Sequence, residues 1–114
     1  MIYFQDYILE KPSEAQSYLM DILLFVHKML PNTEPQIYHG IPTFFWGKHD
    51  VINIGAYKDH IGVHVGYEMV DYLKQKYPSY TYTKSTIQFP YTQALPMKIL
   101  DDICAKIKAS FHIE

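Results

Sequence analysis

Histidine is the residue type in this sequence best suited to binding a metal ion. The six histidines are His27, His39, His49, His60, His64 and His112. A zinc or iron site needs three or four ligands that converge on one point. His60 and His64 fall on one face of a predicted strand, but four strand residues span ~13 Å, so these two side chains cannot chelate a single ion. His39 lies on a neighbouring strand and could pair with one of them. We expect separate polar side chains and no metal site.

Four carboxylates offer a different kind of cation site, because hard cations take oxygen ligands. They are Asp6, Glu10, Glu14 and Asp21. Their spacing would place all four on one side of a continuous helix. Pro12 interrupts that helix, and lysines such as Lys11 are available to neutralise the carboxylates. We therefore expect an ordinary solvated surface here, and we predict no cofactor.

Nucleophilic catalysis has one cysteine candidate. Cys104 follows Ile103 on the apolar side of a predicted helix, where a thiol is usually buried and inert. A single cysteine also excludes an intrachain disulfide and every multi-cysteine metal site. The sequence contains no G-x-S-x-G elbow, no P-loop and no G-x-G-x-x-G phosphate loop. We expect a protein that is not an enzyme.

Aromatic residues are the most unusual feature of the composition, with eleven tyrosines and six phenylalanines. Large rings can build the core of a short chain, because each ring buries a large area. Rings that are exposed on a sheet would instead wall an apolar groove or form a self-association surface. The predicted site of this second kind comprises Tyr38, His39, Trp46, Tyr57, His60, Gly62, His64 and Lys84.

The roles within this predicted site follow from residue type. Tyr38, Trp46 and Tyr57 would wall the site, and Gly62 would leave a shallow depression between two histidines because it has no side chain. The histidines and Lys84 would supply the polar groups at its rim. We expect the site to bind a small molecule or a protein partner. A second copy of the chain, related by a two-fold axis, is the alternative occupant.

The charged residues argue against several other partners. The formal net charge is −2, and all ten cationic residues are lysines. Without arginine there is no bidentate fork for phosphate, and nucleic-acid binding lacks its main electrostatic contribution. Charge-free apolar stretches are much shorter than the ~20 residues of a membrane span, and the N-terminal residues do not form a signal-peptide pattern. We expect a soluble, cytoplasmic single domain over residues 1–114 that binds neither nucleic acid nor membrane.

The predicted helices and strands that carry these residues form an α+β pattern. Apolar periodicity predicts four helical segments, at residues 3–9, 13–30 and 67–76 and from Pro96 onward. Alternating apolar residues predict five strands, at residues 37–46, 51–57 and 61–65 and in one hairpin within 80–90. The main elements follow the order α-β-β-β-α-β-β-α. This order predicts a two-layer α+β domain whose mainly antiparallel five-stranded sheet is covered by helices on one face.

The buried core is predicted from the same patterns. Its expected members are Ile22, Val26, Ile54, Val63, Ile87, Phe89, Ile103 and Ile107. Within the strand at 61–65, apolar residues alternate with His60, Gly62 and His64. Successive side chains of a strand point to opposite faces, so these three residues should point away from the helices.

Two segments carry a distinctive order of residues. Residues 37–66 read IYHGIPTFFWGKHDVINIGAYKDHIGVHVG, and residues 82–103 read YTKSTIQFPYTQALPMKILDDI. The first resembles the Tyr-Gly-x-Pro-Thr-Phe strand and following hairpin of the YdhG-like family of uncharacterised bacterial domains. The second resembles that family's Lys-Gly-Thr-Ile-Gln-Phe strand, with its Pro-Leu-Pro segment and helix. The resemblance covers nearly the whole chain and implies a sheet flanked by helices, as in secretion chaperones.

The resemblance also implies an alternative function. One branch of the YdhG-like family is described as an iron chaperone that stands in for frataxin. This sequence departs from the family pattern at Pro35, where glutamate is common, and at Ser85, which replaces a glycine after Lys84. The change at Pro35 removes a carboxylate that iron binding would use. The leading hypothesis is therefore a non-catalytic domain that binds a ligand or a protein, and the alternative is an iron chaperone.

Overall fold

A six-stranded sheet and four helices make up the computed structural model, which describes residues 2–114. After a 3₁₀ turn (Ile2–Phe4), the helices are α1 (Gln5–Leu9), α2 (Ser13–Met29), α3 (Tyr67–Lys76) and α4 (Met97–Phe111). The strands are β1 (Glu34–Tyr38), β2 (Ile41–Trp46), β3 (His49–Ala56), β4 (His60–His64), β5 (Thr81–Tyr82) and β6 (Thr86–Pro90). The strands lie in the order β1-β2-β3-β4-β6-β5, and every neighbouring pair is antiparallel.

The helices cover one face of this sheet, and the predicted α+β fold is confirmed. Buried side chains of α2 and α4 pack with inward-facing side chains of β2, β3, β4 and β6 in one core. All eight predicted core residues belong to this core, and none exposes more than 2% of its surface. Within residues 2–114, no helix is both long enough and apolar enough to cross a bilayer.

The sheet has one strand more than predicted, because the segment at 37–46 is a hairpin and not one strand. His39 and Gly40 lie between the paired residues Tyr38 and Ile41 and have φ values of 50° and 79°. Two successive positive φ values are what a two-residue type I′ turn requires, and its twist matches that of the flanking strands. The chain therefore reverses direction at His39 and Gly40, within the segment that was predicted to be a single strand.

Strand β1 is an edge of the sheet, and Pro35 lies on it at a position that can accept proline. The residues flanking a two-residue turn exchange both of their hydrogen bonds, so Tyr38 and Gln36 bond to β2. The backbone groups of Pro35 and Ile37 then point to the free edge. Since proline has no N–H group, it removes one donor from an edge that could otherwise pair with another strand.

Helices α3 and α4 are joined by hydrogen bonds that converge on Asp102. Its carboxylate accepts hydrogen bonds from the hydroxyls of Tyr72 and Tyr77, each at 3.1 Å, and from Lys76 Nζ at 2.9 Å. Partial burial acts to raise the pKa of Asp102, but the bonds from Lys76, Tyr77 and Tyr72 outweigh this effect and lower the pKa. The hydrogen bond to Asp102, followed by the one to the Tyr72 hydroxyl, raises the pKa of Lys76.

Replacing Asp102 with asparagine is expected to lower the free energy of unfolding by about 1–3 kcal/mol at neutral pH, because charge-assisted hydrogen bonds are weakened. The pKa of Asp102 in the folded protein lies below its ordinary value of 3.8. The carboxylate therefore contributes stability above that pH, and the contribution is lost as the pH falls through the folded-state pKa. Denaturant unfolding curves over a series of pH values measure both effects. Asp101→Asn, an exposed neighbour, is the matched control, and a difference between wild type and Asp102→Asn that does not shrink in acid would contradict this account.

Candidate functional site

A cavity of about 260 Å³ lies on the sheet face that the helices leave open. Five residues of the predicted site line it: Tyr38, His39, Tyr57, Gly62 and His64. Tyr38 lies on β1, His39 in the β1–β2 turn and Tyr57 directly after β3, while Gly62 and His64 lie on β4. The antiparallel order of these strands brings together residues that are far apart in the sequence.

Four residues that the sequence analysis did not select also line the cavity. They are Ile41, Asp50, Asn53 and Thr86. Asn53 is the most informative of them, because a polar side chain inside an otherwise apolar strand needs a hydrogen-bond partner when it is buried. Asn53 alternates with Gly55 along β3, and this position on the open face is the signal that could have identified it.

Asn53 forms the floor of the cavity and is hydrogen-bonded to Thr43, a fully buried residue that does not itself line the cavity. Thr43 and Asn53 lie opposite each other on β2 and β3, and they expose 0% and 7% of their surface. Asn53 Nδ2 donates to Thr43 Oγ1 at 3.0 Å and to Asp50 Oδ2 at 3.4 Å, while Thr43 Oγ1 donates to the Ile41 carbonyl at 3.1 Å. These bonds fix the orientation of the floor before any ligand arrives.

Tyr57 forms one wall by folding back over two glycines. Gly55 and Gly62 face each other across β3 and β4. A Cβ atom at Gly55 would lie 2.9 Å from the Tyr57 hydroxyl oxygen, and one at Gly62 would lie 3.0 Å from Tyr57 Cε2. The tyrosine ring therefore occupies the surface that the glycines leave bare, as an aromatic ring can do across a strand glycine. The ring therefore covers part of the surface at Gly62 where a bare depression was expected, while Gly62 still lines the cavity.

His60 supports the Tyr57 wall and does not itself line the cavity. The two rings stack, with centroids 5.2 Å apart and planes inclined by 23°. His60 Nδ1 also lies 2.7 Å from Asp59 Oδ1, and this hydrogen bond lowers the pKa of Asp59. On the other side of Tyr57, the hydroxyl of Tyr91 donates to the Tyr57 carbonyl at 2.7 Å. These contacts hold the wall in place.

The opposite wall is built on the β1–β2 hairpin. The Tyr38 ring lies edge-on to Phe45, with centroids 5.2 Å apart, and against His39, with centroids 4.1 Å apart. His39 occupies the left-handed region of backbone conformation that the turn requires. The hairpin therefore presents an aromatic ring and an imidazole to the cavity.

The chain superposes on the crystal structure of YdhG from Bacillus subtilis, a protein of the DUF1801 family, with a TM-score of 0.90. The match covers 98% of this chain and 93% of that chain, at 16% sequence identity. The chain has the YdhG fold. The fold that the resemblance to the YdhG-like family implied is therefore confirmed. No family model and no curated protein matches the sequence.

Two residues predicted for the site lie outside the cavity of this YdhG-like domain. Trp46 is not among the lining residues, and its partly buried side chain packs against the core. Along β2, Trp46 is two residues from the fully buried Phe44 and therefore points to the same face of the sheet. Lys84 is exposed in the loop between β5 and β6 and is not among the lining residues.

Within the part of the chain that the structure describes, no residues converge to form a metal site or a nucleophilic catalytic site. No three His, Cys, Asp or Glu side chains are placed to hold a metal ion there. The carboxylates Asp6, Glu10, Glu14 and Asp21 do not lie on one continuous helix, because α1 ends at Leu9 and α2 begins at Ser13. Cys104 is fully buried as predicted, and burial raises the pKa of its thiol to about 12. A thiol with this pKa is a poor nucleophile.

Two larger cavities lie on the helical side of the domain. One, of about 640 Å³, runs between α1 and α2 past Leu9 and Met20. The other, of about 360 Å³, lies between α3 and α4, with Glu68 and Lys106 at its rim. The Lys106 ammonium already lies 4.3 Å from the centre of the Tyr72 ring. Neither cavity is lined by a buried polar side chain, whereas the smaller open-face cavity is lined by Asn53.

Proposed function

We propose that this domain is not an enzyme and that it binds a small molecule in the open-face cavity. The observation that carries the proposal is the buried Thr43–Asn53 pair on a sheet face that no helix covers. Binding sites typically combine apolar or aromatic walls with a few fixed polar groups. Tyr38 and Tyr57 supply the walls, and Asn53 supplies the fixed polar group.

The residues that line the cavity support binding in preference to catalysis. Neither lysine nor cysteine is among the lining residues. A general acid–base site uses a positioned proton-transfer group, commonly an imidazole oriented by a partner. Among the described hydrogen bonds, neither His39 nor His64 contacts a carboxylate, so no oriented pair of this kind is formed.

A small ligand also fits this face better than a second copy of the chain does. The buried centre of a homodimer interface is mostly apolar. On the open face, the large side chains that are well exposed are Tyr38 and Tyr57, and most of the other residues that line the cavity are polar. The area available for apolar contact is therefore small, which favours a ligand held between the two rings.

A thermal-shift screen of metabolites and fragments tests the proposal. A ligand at a hundred times its Kd stabilises the native state by about 2.7 kcal/mol, so a bound compound raises Tm. We expect at least one compound to raise the Tm of the wild type and of Tyr67→Ala, but not that of Tyr38→Ala. Tyr67 is the matched control, because it is an exposed tyrosine on α3, away from the cavity.

Two results would contradict the proposal. The first is a set of active compounds whose Tm shifts survive in Tyr38→Ala, which would place binding elsewhere. The second is the absence of any shift together with a wild-type dimer that Tyr38→Ala dissociates on a sizing column. That result would assign the open face to self-association.

A further inference from the structure

We propose that the ligand of the open-face cavity is a small organic ammonium ion. This inference rests on the proposed function and adds the chemical class of the ligand. Three features of the cavity support it: a carboxylate without a cationic partner, an amide oxygen that no donor of the protein reaches, and two exposed tyrosine rings.

Asp50 is the carboxylate that lines the cavity. No lysine is among the lining residues, and the ion pairs of residues 2–114 do not include Asp50. Its Oδ2 atom accepts one hydrogen bond, from Asn53 Nδ2 at 3.4 Å. The cavity therefore carries a negative charge that no neighbouring side chain neutralises, and such a charge favours a cationic ligand.

Asn53 makes the floor of the cavity rich in acceptors. Both of its amide hydrogens have partners, because Nδ2 donates to Thr43 and to Asp50. No hydrogen bond within the described part of the chain reaches Oδ1, and this oxygen is not among the buried atoms without a partner, so it is open to the cavity. An acceptor that faces a cavity without a protein donor is free to accept a hydrogen bond from a ligand. The N–H groups of an ammonium ion could satisfy it.

The tyrosine rings supply the third element of ammonium recognition. Tyr38 and Tyr57 expose 39% and 52% of their surface, and both line the cavity. The faces of aromatic rings attract cations through their quadrupoles and also pack against alkyl groups. A short alkylammonium ion would place its charge near Asp50 and its chain between the rings.

Three probes with the same four-carbon chain separate charge from shape: butylammonium chloride, butan-1-ol and sodium butyrate. Glycine-selective ¹⁵N labelling gives five amide signals, one for each glycine of the chain. Gly55 and Gly62 lie beneath the Tyr57 wall, whereas Gly47 and Gly66 lie in turns outside the lining of the cavity. We expect butylammonium to shift the signals of Gly55 and Gly62, and butan-1-ol and butyrate to bind much more weakly.

Two charge-neutralising variants show whether Asp50 is responsible. Asp50→Asn should weaken butylammonium binding by at least about fivefold, because the counter-charge is lost beside the rings. Asp71→Asn makes the same change in net charge on the exposed surface of α3 and should leave binding unchanged. An equal loss in both variants would overturn the inference, because the effect would then be one of overall charge.

The remaining outcomes distinguish this inference from the proposed function. If butan-1-ol shifts the signals of Gly55 and Gly62 as strongly as butylammonium does, the ammonium class is wrong while binding in the cavity stands. If none of the three probes shifts these signals, the ammonium class is also wrong. The proposed function is then judged by the compound screen with Tyr38→Ala, which does not depend on ligand charge.

Discussion

Truncating Ile54 to alanine is expected to cost about 2–5 kcal/mol of unfolding free energy, and Ile103→Ala should cost a similar amount. Ile54 lies on β3 opposite Val63 and is fully buried, and Ile103 is fully buried on α4. Each substitution removes three buried carbon atoms and leaves a cavity between the sheet and the helices, because a packed core closes only partly around lost volume. Denaturant unfolding monitored by far-ultraviolet circular dichroism measures the loss.

Ile37→Ala is the matched control for these two variants. Ile37 lies on edge strand β1 and exposes 47% of its surface. Its truncation should change the free energy of unfolding by no more than about 0.5 kcal/mol. Losses below about 0.5 kcal/mol at both Ile54 and Ile103 would mean that the two faces of the sheet are inverted, since a register slip of one residue exchanges them.

Gly62→Val is expected to destabilise the protein by about 1–3 kcal/mol, as overpacking does elsewhere. The backbone at Gly62 is not in the left-handed region, so valine meets no backbone strain there. The obstacle is the Tyr57 ring, which would lie 3.0 Å from the new Cβ atom. The ring must swing outward, and it then loses its contacts with Gly55 and its stacking on His60.

A double-mutant cycle with Tyr57→Ala tests this explanation. If valine and tyrosine compete for the same space, the double variant should be more stable than the sum of the two single losses predicts. Equilibrium unfolding of the four proteins gives the coupling free energy. Strict additivity would show that Tyr57 does not cover Gly62 in solution and would remove one wall of the proposed site.

The periodic spacing of apolar residues along whole helices and strands made most of the fold predictable. Features that depend on local backbone geometry, such as turns and bulges, were not predictable in this way. The amphipathic pattern at 13–30 predicted α2 to within one residue, because one helix face must be buried. The β1–β2 hairpin was missed because His39 stands where the commonest turn residue is asparagine or aspartate. Alternation continues on both sides of such a turn, so hydrophobicity alone does not reveal it.

The candidate site was partly predictable for a related reason. Alternation along β4 placed Gly62 and His64 on the open face, and the structure puts both in the cavity lining. The sequence does not show which face of β2 is buried, so it did not reveal that Trp46 shares a face with the fully buried Phe44. The position of Tyr57 over two glycines depends on the pairing of Gly55 in β3 with Gly62 in β4. The pattern of each strand taken alone does not show how strands pair.

The central claim is that a small ligand binds on the open face of the sheet, and side-chain amide and indole signals in a ¹⁵N NMR titration test it most directly. The titrant is the compound with the largest Tm shift in the screen. We predict that the Asn53 side-chain amide shifts with saturation, while the indole of Trp46, the single tryptophan, does not, because it packs on the helical side. A saturable shift at Trp46 or at the Gln16 side chain in the α1–α2 groove, with Asn53 unchanged, would contradict the account.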